Sequence, residues 1–389
     1  MECLVEKDDL LRCLYLVQGV VEKRSSLPIL AHVLIESNDE QAEAADHALS
    51  LRATDLEIGI RQHCRARVKK AGSITTDARK LYEIVRELPN AGGSSADPTV
   101  IALRSAGSGW VEVSSGKSRF RMASLDPKEF PAIVQEEADG ATLSPASCPG
   151  EVLREMIEKT LFATSPDETR LNLSGVYIEA LDSGKLRMVA SDGHRLSLIE
   201  RQATITEPAA WPKVILPRKG LLEARKILER GEGEVSFSLQ ATTAGLRKEA
   251  TALSMRLVEG EFPDYQQILP TEHNFLIAFS REELLSALRR LLILTTERSR
   301  GIKLQIEAGK VEISVNTPDL GEGVEEIATD YSGDSIAVGF NGRYLVEALT
   351  VMEEGQQITL SLKDDMSPGL LKTVEDQDFS YVIMPMRIF

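Results

Sequence analysis

The residues that come closest to an active site by type and spacing lie in one run, residues 191–196, with the sequence SDGHRL. Asp192 and His194 could form an acid–base pair, which is how a hydrolase would use them. The sequence supplies no third member of a catalytic triad. An Asp-Gly pair at the end of a strand-like segment more often forms a tight turn, so the turn is favoured over catalysis. A third interpretation, a groove edge at which His194, Arg195 and Leu196 meet a partner, agrees best with the features below.

Other reactive motifs fail on inspection. Residues 116–118 (GKS) resemble the end of a phosphate-binding loop, but Val111 stands where that loop requires its first glycine. The five histidines show neither an H-E-x-x-H pattern nor a Cys/His ligand spacing, and no G-x-S-x-G motif occurs. The four cysteines form no C-x-x-C pair, and we expect reduced structural thiols. They are Cys3, Cys13, Cys64 and Cys148. The sequence predicts no metal and no cofactor.

The composition limits the classes of function. A formal net charge of −15 over 389 residues argues against a protein that coats nucleic acid with its whole surface. One basic face on an acidic body remains compatible with that charge. No apolar run is long enough to cross a bilayer, and the first residues (MECLVEKDDLLR) lack the apolar core of a signal peptide. We therefore expect a cytoplasmic protein with no membrane partner and roughly two to four domains.

The elements that would position these residues recur in each third of the chain. Each third opens with apolar residues at helical spacing, which puts them on one face of a helix. These sets are Leu10, Leu14 and Val17, then Leu153 and Ile157, then Leu284, Leu288 and Leu291. The third helix begins with Ser280 followed by Glu283, which predicts a capping box. Alternating strand-like segments follow each helix and end in a small polar turn.

A second helix in each third begins at a fixed distance from that turn. Arg218 lies 27 positions after Ser191, and Arg343 lies 27 positions after Asn316. Each third then closes with an alternating strand, an acidic turn and a Phe, starting near residues 120, 253 and 370. Such self-similarity indicates repeated structural units. With loose linkers at 138–150 and 268–274, we predict three domains spanning 1–137, 138–271 and 272–389.

The second helices of the first two thirds begin with basic residues. Arg79 does so in the first, and Arg218, Lys219, Arg225 and Lys226 form a stripe in the second, because residues seven apart point the same way. A solvated helix surface explains one such stripe. Recurrence at the same element of two thirds favours a shared function. A passive repeat-built scaffold without DNA would leave these stripes unexplained, and a hydrolase would give no reason for the triplication.

Several motifs, in order along the whole chain, resemble the bacterial DNA polymerase III beta subunit family, the sliding clamps. They are residues 27–30 (LPIL), 53–57 (ATDLE), 191–196 (SDGHRL), 216–220 (LPRKG), 262–265 (FPDY) and 381–387 (YVIMPMR). The resemblance implies an α+β fold of three repeated clamp-type domains, each with two helices packed on antiparallel sheets. It also implies a head-to-tail homodimeric ring of six domains around duplex DNA, with helices lining the hole.

The resemblance further implies what the ring does. The family has no catalysis or cofactor of its own; it confers processivity on the replicative DNA polymerase and holds DNA without sequence specificity. Short peptide motifs of the polymerase, the clamp loader, other polymerases and repair proteins dock in a pocket of the clamp. Positions matching DNA-facing residues of the family are Arg24, Arg79, Arg218 and Lys219. Positions matching the dimer interface are Lys117, Arg119, Phe120 and Met122 on one side and Ile293 and Leu294 on the other.

The peptide pocket of the family matches residues of the last two thirds. From the central part they are Arg170, Leu173, Ser191, Gly193, His194, Arg195, Leu196, Pro263 and Ile268. From the last third they are Asn341, Tyr344, Met366, Pro368, Val382, Met384, Pro385, Met386 and Arg387. Methionines beside a groove suit a surface that accepts several peptides. Core packing is the alternative for Phe120, Met122 and Met384.

Three features depart from the family pattern. Leu171 and Asn172 replace aromatic residues, which affects one wall of the groove and a possible DNA contact. The chain ends at Phe389, one residue beyond the usual ending, and that residue either packs over the pocket or stays loose. The loop at 89–98 is longer than typical.

Overall fold

The computed structural model describes residues 1–22, 26–37, 45–89, 99–132, 143–167, 169–229, 232–296 and 300–387. The chain forms two compact units, and each is described by itself below. The first contains Met1–Glu151, Ile205–Glu207 and Lys219–Leu257; the second contains Val152–Thr204, Pro208–Arg218 and Val258–Phe389. Arg24, Phe389, most of the loop at 89–98 and part of the predicted linker at 138–150 lie outside the described residues.

The described residues form six α-helices, two in each third of the chain, as the sequence predicted. They are α1 (Lys7–Val20), α2 (Ala78–Glu87), α3 (Gly150–Leu161), α4 (Arg218–Leu228), α5 (Arg281–Leu291) and α6 (Gly342–Thr350). The predicted apolar positions are the buried ones; Leu10, Leu14 and Val17 of α1, for example, are fully buried. The side chain of Ser280 caps α5 by accepting from the backbone N–H of Glu283 at 3.5 Å, which confirms that half of the predicted capping box.

Strands fill most of the remaining described chain. Up to the middle they are β1 (Glu2–Glu6), β2 (His32–Ser37), β3 (Ala45–Thr54), β4 (Ile58–Lys70), β5 (Gly72–Asp77), β6 (Val100–Ser105), β7 (Trp110–Ser115), β8 (Ser118–Ala123), β9 (Leu143–Pro149), β10 (Gly175–Ala180), β11 (Lys185–Ser191) and β12 (Arg195–Gln202). Beyond it they are β13 (Thr204–Ile205), β14 (Val214–Pro217), β15 (Glu234–Leu239), β16 (Thr243–Lys248), β17 (Thr251–Arg256), β18 (Phe275–Ser280), β19 (Gly301–Glu307), β20 (Lys310–Thr317), β21 (Gly321–Ala328), β22 (Ile336–Asn341), β23 (Gln357–Leu362), β24 (Gly369–Thr373) and β25 (Phe379–Ile383).

The order of elements repeats three times. Each third reads one strand, a helix, four strands, a second helix and three strands, with the two-residue β13 as an addition in the second third. Strand burial alternates where one face packs inward, as in Lys310–Thr317 of β20. The strand pairings repeat as well: β2–β3, β10–β11 and β19–β20 are equivalent antiparallel pairs. The predicted triplication of elements is therefore confirmed.

The first unit is built on one antiparallel arrangement. Its strands run in the order β9-β15-β16-β17-β4-β1-β6-β7-β8, and β2, β3 and β5 join through β3–β4, β2–β3 and β2–β5 pairing. The second unit has two sheets. One has the order β14-β10-β11-β12-β25-β24-β23-β18, and the other has the order β21-β20-β19-β22.

Two strand pairs join consecutive thirds within the units. In the first unit β4 pairs with β17, the last strand of the next third, with Ile58 opposite Met255. In the second unit β12 pairs with β25, again the last strand of the next third, with Arg195 opposite Ile383. In the last third, β21 is the strand equivalent to β4 and β12. In the first third, β8 is the strand equivalent to β17 and β25. Among the described strands, each of them stands at the end of its sheet.

One detail of the predicted repeat is wrong. The first two occurrences of the strand and acidic turn are β8 and β17, the last strands of their thirds. The stretch beginning at Leu370 is instead β24, the penultimate strand, and it turns back into β25 at Phe379. Alternating residues followed by a polar turn and an aromatic residue occur in any β-hairpin, so this pattern could not distinguish the two strands.

The described residues contain neither a candidate membrane-spanning helix nor a candidate metal-binding cluster. No helix there is long and apolar enough to span a membrane. No group of three or more His, Cys, Asp or Glu side chains is arranged there to hold a metal ion.

Candidate functional site

The run at residues 191–196 is a tight turn between β11 and β12. The Ser191 hydroxyl donates to the carbonyl of Arg195 at 2.7 Å and accepts from the N–H of Gly193 at 3.1 Å. Asp192 Oδ1 accepts from the backbone N–H groups of His194 at 2.9 Å and Arg195 at 3.1 Å. Gly193 has a φ of +88°, a conformation that favours glycine. The turn interpretation is confirmed, and the Asp192 carboxylate is bound to the turn and to Arg195.

Arg195 holds this turn against the rest of the second unit. Its side chain is buried, with Nε 3.0 Å from Asp192 Oδ2 and Nη1 2.5 Å from Glu347 Oε2 on α6. Nη2 donates to the carbonyl of Phe162 at 2.6 Å, and the guanidinium lies 4.2 Å from the ring centroid of Tyr344. The nitrogens of Arg195 are therefore occupied by protein groups. The family resemblance predicts that Arg195 contacts the peptide. In the structure its polar atoms bind groups of the protein itself.

The charge on Glu347 is stabilised by two arginines. Burial alone would raise the pKa of Glu347, but hydrogen bonds from Arg343 and Arg195 outweigh it and hold the pKa below its usual value. Arg343 Nε lies 2.7 Å from Glu347 Oε1. Burial, followed by the charge of Asp192, raises the pKa of Tyr344. The site thus keeps Glu347 ionised and Tyr344 neutral at neutral pH.

The C-terminal segment runs directly beside the turn. The N–H of Met384 donates to the carbonyl of His194 at 2.9 Å, and the N–H of Met386 donates to the carbonyl of Gly339 at 2.8 Å. His194 itself is exposed. Met386 is 42% exposed, whereas Met384 is half-buried. The structure therefore brings the predicted tail residues and the predicted turn together.

An apolar cluster lies in the same region. Leu196 and Val382 are buried in it, and Ile268 packs against it together with Phe262. Tyr177 stacks on Phe262 with ring centroids 5.1 Å apart. Leu196 and Val382 are 1% and 0% exposed, so they are core residues, whereas Ile268 and Phe262 are the partly buried members of the cluster.

The other predicted pocket residues of the second unit range from buried to exposed. Arg170 is exposed, with Nη1 3.4 Å from the carbonyl of Asp192, and Leu173 is buried. Asn341 caps α6 by accepting from the N–H of Arg343 at 3.1 Å. The remaining ones are Pro263 and Arg387, both exposed, Met366, which is 60% exposed, and Pro368 and Pro385, both half-buried.

Three of the four predicted DNA-facing cations lie among the described residues, and each has a partner inside the protein. Arg79 donates to the carbonyl of Val21 at 3.2 Å. Arg218 is exposed and donates to Thr164 Oγ1 at 2.7 Å and to the carbonyl of Leu161. Lys219 pairs with Asp55, a buried carboxylate of the turn between β3 and β4. The sequence pattern located these side chains on helix starts but could not show these partners.

The predicted interface residues lie at the two sheet ends. On β8, Phe120 is 39% exposed, whereas Met122 is 9% exposed. Ile293 lies in a short 3-10 helix, Leu292–Leu294, after α5, and it is 78% exposed; Leu294 is half-buried. The basic residues Lys117 and Arg119 are exposed beside Phe120. Phe120 and Ile293 are thus large apolar side chains that are partly and mostly exposed, respectively. Met122 is buried, as its core-packing alternative requires.

Comparison with known proteins identifies the family. Models of the DNA polymerase III beta subunit match the N-terminal domain over residues 1–134, the central domain over 147–264 and the C-terminal domain over 266–387. The beta sliding clamp of Pseudomonas putida is 37% identical over 389 residues, which cover 100% of both chains. The chain belongs to the DNA polymerase III beta subunit family. The beta sliding clamp of Caulobacter vibrioides is 33% identical over 396 aligned residues, again with 100% of both chains covered.

Solved structures of sliding clamps agree with this assignment. The DNA polymerase III subunit beta of Bartonella birtlesii bound to griselimycin has a TM-score of 0.90 at 31% identity, covering 100% of both chains. The griselimycin-bound protein of Pseudomonas aeruginosa has a TM-score of 0.89 at 33% identity, also covering 100% of both. The predicted α+β fold of three clamp-type domains is confirmed. The chain has the role of a DNA sliding clamp, a non-catalytic processivity factor in DNA replication. The hydrolase alternative finds no support.

Sequence reasoning missed some of the side-chain contacts around the 191–196 turn and the nearby apolar cluster. Tyr265 donates its hydroxyl to the Glu179 carboxylate and accepts from Arg187 at 2.7 Å. Arg187 in turn contacts Glu200 with Nη2–Oε1 at 2.5 Å. Tyr265 was visible in the FPDY motif, but its partners come from strands more than sixty residues upstream. Glu347 carried no sequence signal beyond its spacing of four from Arg343 on a helix.

Proposed function

We propose that the clamp works as a homodimer whose copies join head to tail through β8 and β21, closing a ring around duplex DNA. The observation that carries this proposal is that, among the described strands, β8 and β21 stand at the ends of their sheets, whereas the equivalent strands in the other thirds are paired. β17 pairs with β4 and β25 pairs with β12, each time a last strand with the equivalent strand of the preceding third. β8 and β21 are the remaining members of the two sets, and a second copy can supply the same pairing to each. Closure then leaves no sheet edge unpaired at this position.

The side chains at the two edges support this pairing. Phe120 on one edge and Ile293 beside the other expose large apolar surfaces that two copies would cover together. Arg119 and Arg121 on β8 are exposed and basic, and Glu322 and Glu326 on β21 are exposed and acidic. Opposite charge across an interface steers association and fixes the partner edge. Lys117, Met122 and Leu294 complete the proposed interface.

We further propose that Arg24, Arg79, Arg218 and Lys219 face the DNA. Their support is the resemblance together with the place of Arg79, Arg218 and Lys219 at the starts of equivalent second helices. A ring holds DNA by topology, so loose phosphate contacts are sufficient and no base contact is needed. A net charge of −15 is compatible with such a ring if the acidic residues lie elsewhere on the surface.

The region around the 191–196 turn is the proposed docking pocket for short peptide motifs. The proposed partners are the replicative DNA polymerase, the clamp loader, other polymerases and repair proteins. The exposed Met366 and Met386 and the partly buried Ile268, which packs against the apolar cluster, support this assignment. Griselimycin, which is bound in structures of two relatives, is a suitable competitor for a peptide-binding assay. We propose three domains, 1–137, 138–271 and 272–389, and a cytoplasmic location.

The test combines solution mass with retention on DNA of different topology. The clamp is loaded on nicked circular DNA by a clamp loader, and half of the sample is then linearised with a restriction enzyme. A dimer that stays on circles and slides off linear ends supports the ring. A monomer, or a protein retained equally on both forms, contradicts it. Ile293→Asp, which puts a charge in the proposed interface, should give a monomer that is retained on neither form.

A further inference from the structure

Strand β4 changes its partner along one edge. It is 13 residues long, and β3 follows its other edge. On the first edge, pairing with β17 ends at Gln62, opposite Thr251, and pairing with β1 resumes at Arg67, opposite Leu4. The stretch between Gln62 and Arg67 borders a partly open cavity of about 810 Å3 in the first unit. The cavity therefore borders the part of β4 that lies between its pairings with β17 and with β1.

Two thiols from different elements line this cavity. Cys13 comes from α1 and Cys64 from β4, and both side chains are buried. Cys13 Sγ donates to the carbonyl of His63 at 3.7 Å, and Cys64 Sγ donates to the carbonyl of Arg65 at 3.6 Å. Cys13 thus reaches the residue that precedes Cys64 in the strand. A hydrogen bond from Cys13, followed by burial, raises the pKa of Cys64, which agrees with the proximity given by the shared cavity and by the contact of Cys13 with His63.

The other two cysteines lie in different settings. Cys3 is fully buried on β1, and burial raises its pKa to about 12. Cys148 is on β9. Neither lines the cavity that Cys13 and Cys64 share. None of the four forms a disulfide in this structure. The sequence predicted reduced thiols, but it gave no sign that two of them line one cavity.

We propose that Cys13 and Cys64 are a reversible dithiol–disulfide pair. Oxidation joins them in a disulfide that cross-links α1 to β4 at the wall of this cavity. The oxidant is a hydroperoxide, with hydrogen peroxide as the simplest case. One thiolate attacks a peroxide oxygen, the O–O bond breaks and a sulfenic acid forms as hydroxide leaves. The second thiolate attacks that sulfur, the S–S bond forms and a second hydroxide leaves. With the two thiol protons, the balance is two thiols and one peroxide giving one disulfide and two waters.

The surroundings favour the disulfide over other oxidation products. A disulfide carries no charge, so it fits a site where burial opposes the thiolate. Sulfinic and sulfonic acids would place a permanent anion among the same buried groups. Because the thiolate is the reactive form, the cross-linking rate should rise with pH. A dithiol reductant reverses the reaction by thiol exchange. The pair therefore stays reduced in a reducing compartment and closes under sustained oxidation.

The experiment uses the full-length chain and hydrogen peroxide. The oxidised protein is alkylated with iodoacetamide, and its intact mass and peptide map are measured with and without dithiothreitol. We expect a loss of two hydrogen atoms, two fewer alkylated thiols, one cross-linked peptide pair containing Cys13 and Cys64, and a raised Tm that dithiothreitol reverses. Cys13→Ser and Cys64→Ser should each abolish the cross-link and the rise in Tm. The matched controls Cys3→Ser and Cys148→Ser should retain both.

Three results would overturn the proposal. They are a cross-link that involves Cys3 or Cys148, stable oxygen addition to Cys13 or Cys64 in place of the cross-link, and a cross-link that forms only in denaturant. The Tm of each reduced serine variant is measured first, so that a folding defect is separated from loss of the disulfide. If a serine variant does not fold, Cys13→Ala and Cys64→Ala take its place, because alanine fills a buried site without a polar atom.

Discussion

Replacing Arg195 by alanine should loosen the 191–196 turn while leaving the fold in place. Arg195 binds Asp192 within the turn, Glu347 on α6 and the carbonyl of Phe162. In the variant the turn loses its side-chain connection to α6. The peptide pocket should lose affinity because one of its edges is no longer held in a single position. The effect is indirect, since the nitrogens of Arg195 are taken up by protein groups.

The stability cost follows from what remains after the substitution. Removing one partner of a buried ion pair costs about 3–5 kcal/mol. Asp192 keeps two backbone N–H donors, and Glu347 keeps Arg343, so neither carboxylate is left without a partner. The expected cost is therefore at the low end, about 3 kcal/mol. Arg343→Ala is the matched control, because it removes the other cation from Glu347. The Arg343 side chain is 55% exposed, and an exposed pair of this spacing contributes only about 0.3–0.5 kcal/mol.

The assay can be confined to the second unit. The chain has two tryptophans, and Trp211 is buried in the second unit. In a Trp110→Phe background, fluorescence in urea therefore reports the unfolding of the unit that contains Arg195. This matters because a single free energy of unfolding is poorly defined for a chain with several domains. Equal, small costs for the Arg195 and Arg343 variants would refute the reasoning, as would unchanged peptide affinity in Arg195→Ala.

Three further predictions concern other parts of the clamp. Ile293→Asp should abolish the dimer in sedimentation without lowering the Tm of the monomer, whereas Leu276→Asp, at a side chain that is also exposed, should leave the dimer intact. Asp376→Asn should lower the free energy of unfolding by about 3 kcal/mol at neutral pH, because the buried Lys159 loses one of its anionic partners. Urea unfolding at several pH values should show that this difference becomes smaller in acid. Burial would raise the pKa of Asp376, but hydrogen bonds from Arg201 and Lys159 outweigh it, so its stabilisation is present above the ordinary carboxyl pKa and lost as pH falls through its lowered value. Gly193→Ala should cost about 1–2 kcal/mol in thermal unfolding because of its positive φ, and Gly193→Asn should cost less; equal costs would contradict a backbone origin.

Much of the fold could be predicted from the sequence because its signals are local. Helical spacing located α1, α3 and α5, and the distance from each polar turn located α4 and α6. The Ser280 cap was predictable because it depends on residues three positions apart. The assignment of the last repeat to the Leu370 stretch failed because alternation alone does not distinguish neighbouring strands of a hairpin. Strand partners come from pairing across the chain, and no local pattern contains that information.

The candidate site was only partly predictable, for the same reason. The turn at 191–196 could be identified because Asp and Gly dictate its backbone. The ion pairs Lys219–Asp55 and Arg195–Glu347 join residues 164 and 152 positions apart, and nothing near either residue announces its partner. The sequence predicted a basic stripe on α4. In the structure Lys226 pairs with Glu223 at 2.7 Å, which reduces the net charge of that stripe. Likewise, Cys13 and Cys64 line the same cavity because α1 packs on β4.

The repeat presents the same turn backbone at two junctions, and the proposed peptide site lies at one of them. The turn at residues 54–58 has the same bonds as the turn at 191–195: Thr54 Oγ1 donates to the carbonyl of Ile58 at 2.8 Å, and Asp55 Oδ1 accepts from the N–H of Glu57 at 2.9 Å and from that of Ile58 at 2.7 Å. The next strand also arrives in the same way, with the N–H of Arg256 2.8 Å from the carbonyl of Glu57.

The two turns therefore differ in their side chains. Ile58 stands where the second turn has Arg195, and Leu56, with a φ of +78°, stands where the second has Gly193. Lys219, near the start of α4, pairs with Asp55, the aspartate of the first turn. In the first turn that lysine neutralises the aspartate, whereas in the second a buried arginine does so and leaves an aromatic ring at the groove. The features proposed to recognise peptides thus lie in these substitutions, and the backbone they share with the first junction serves only to present them.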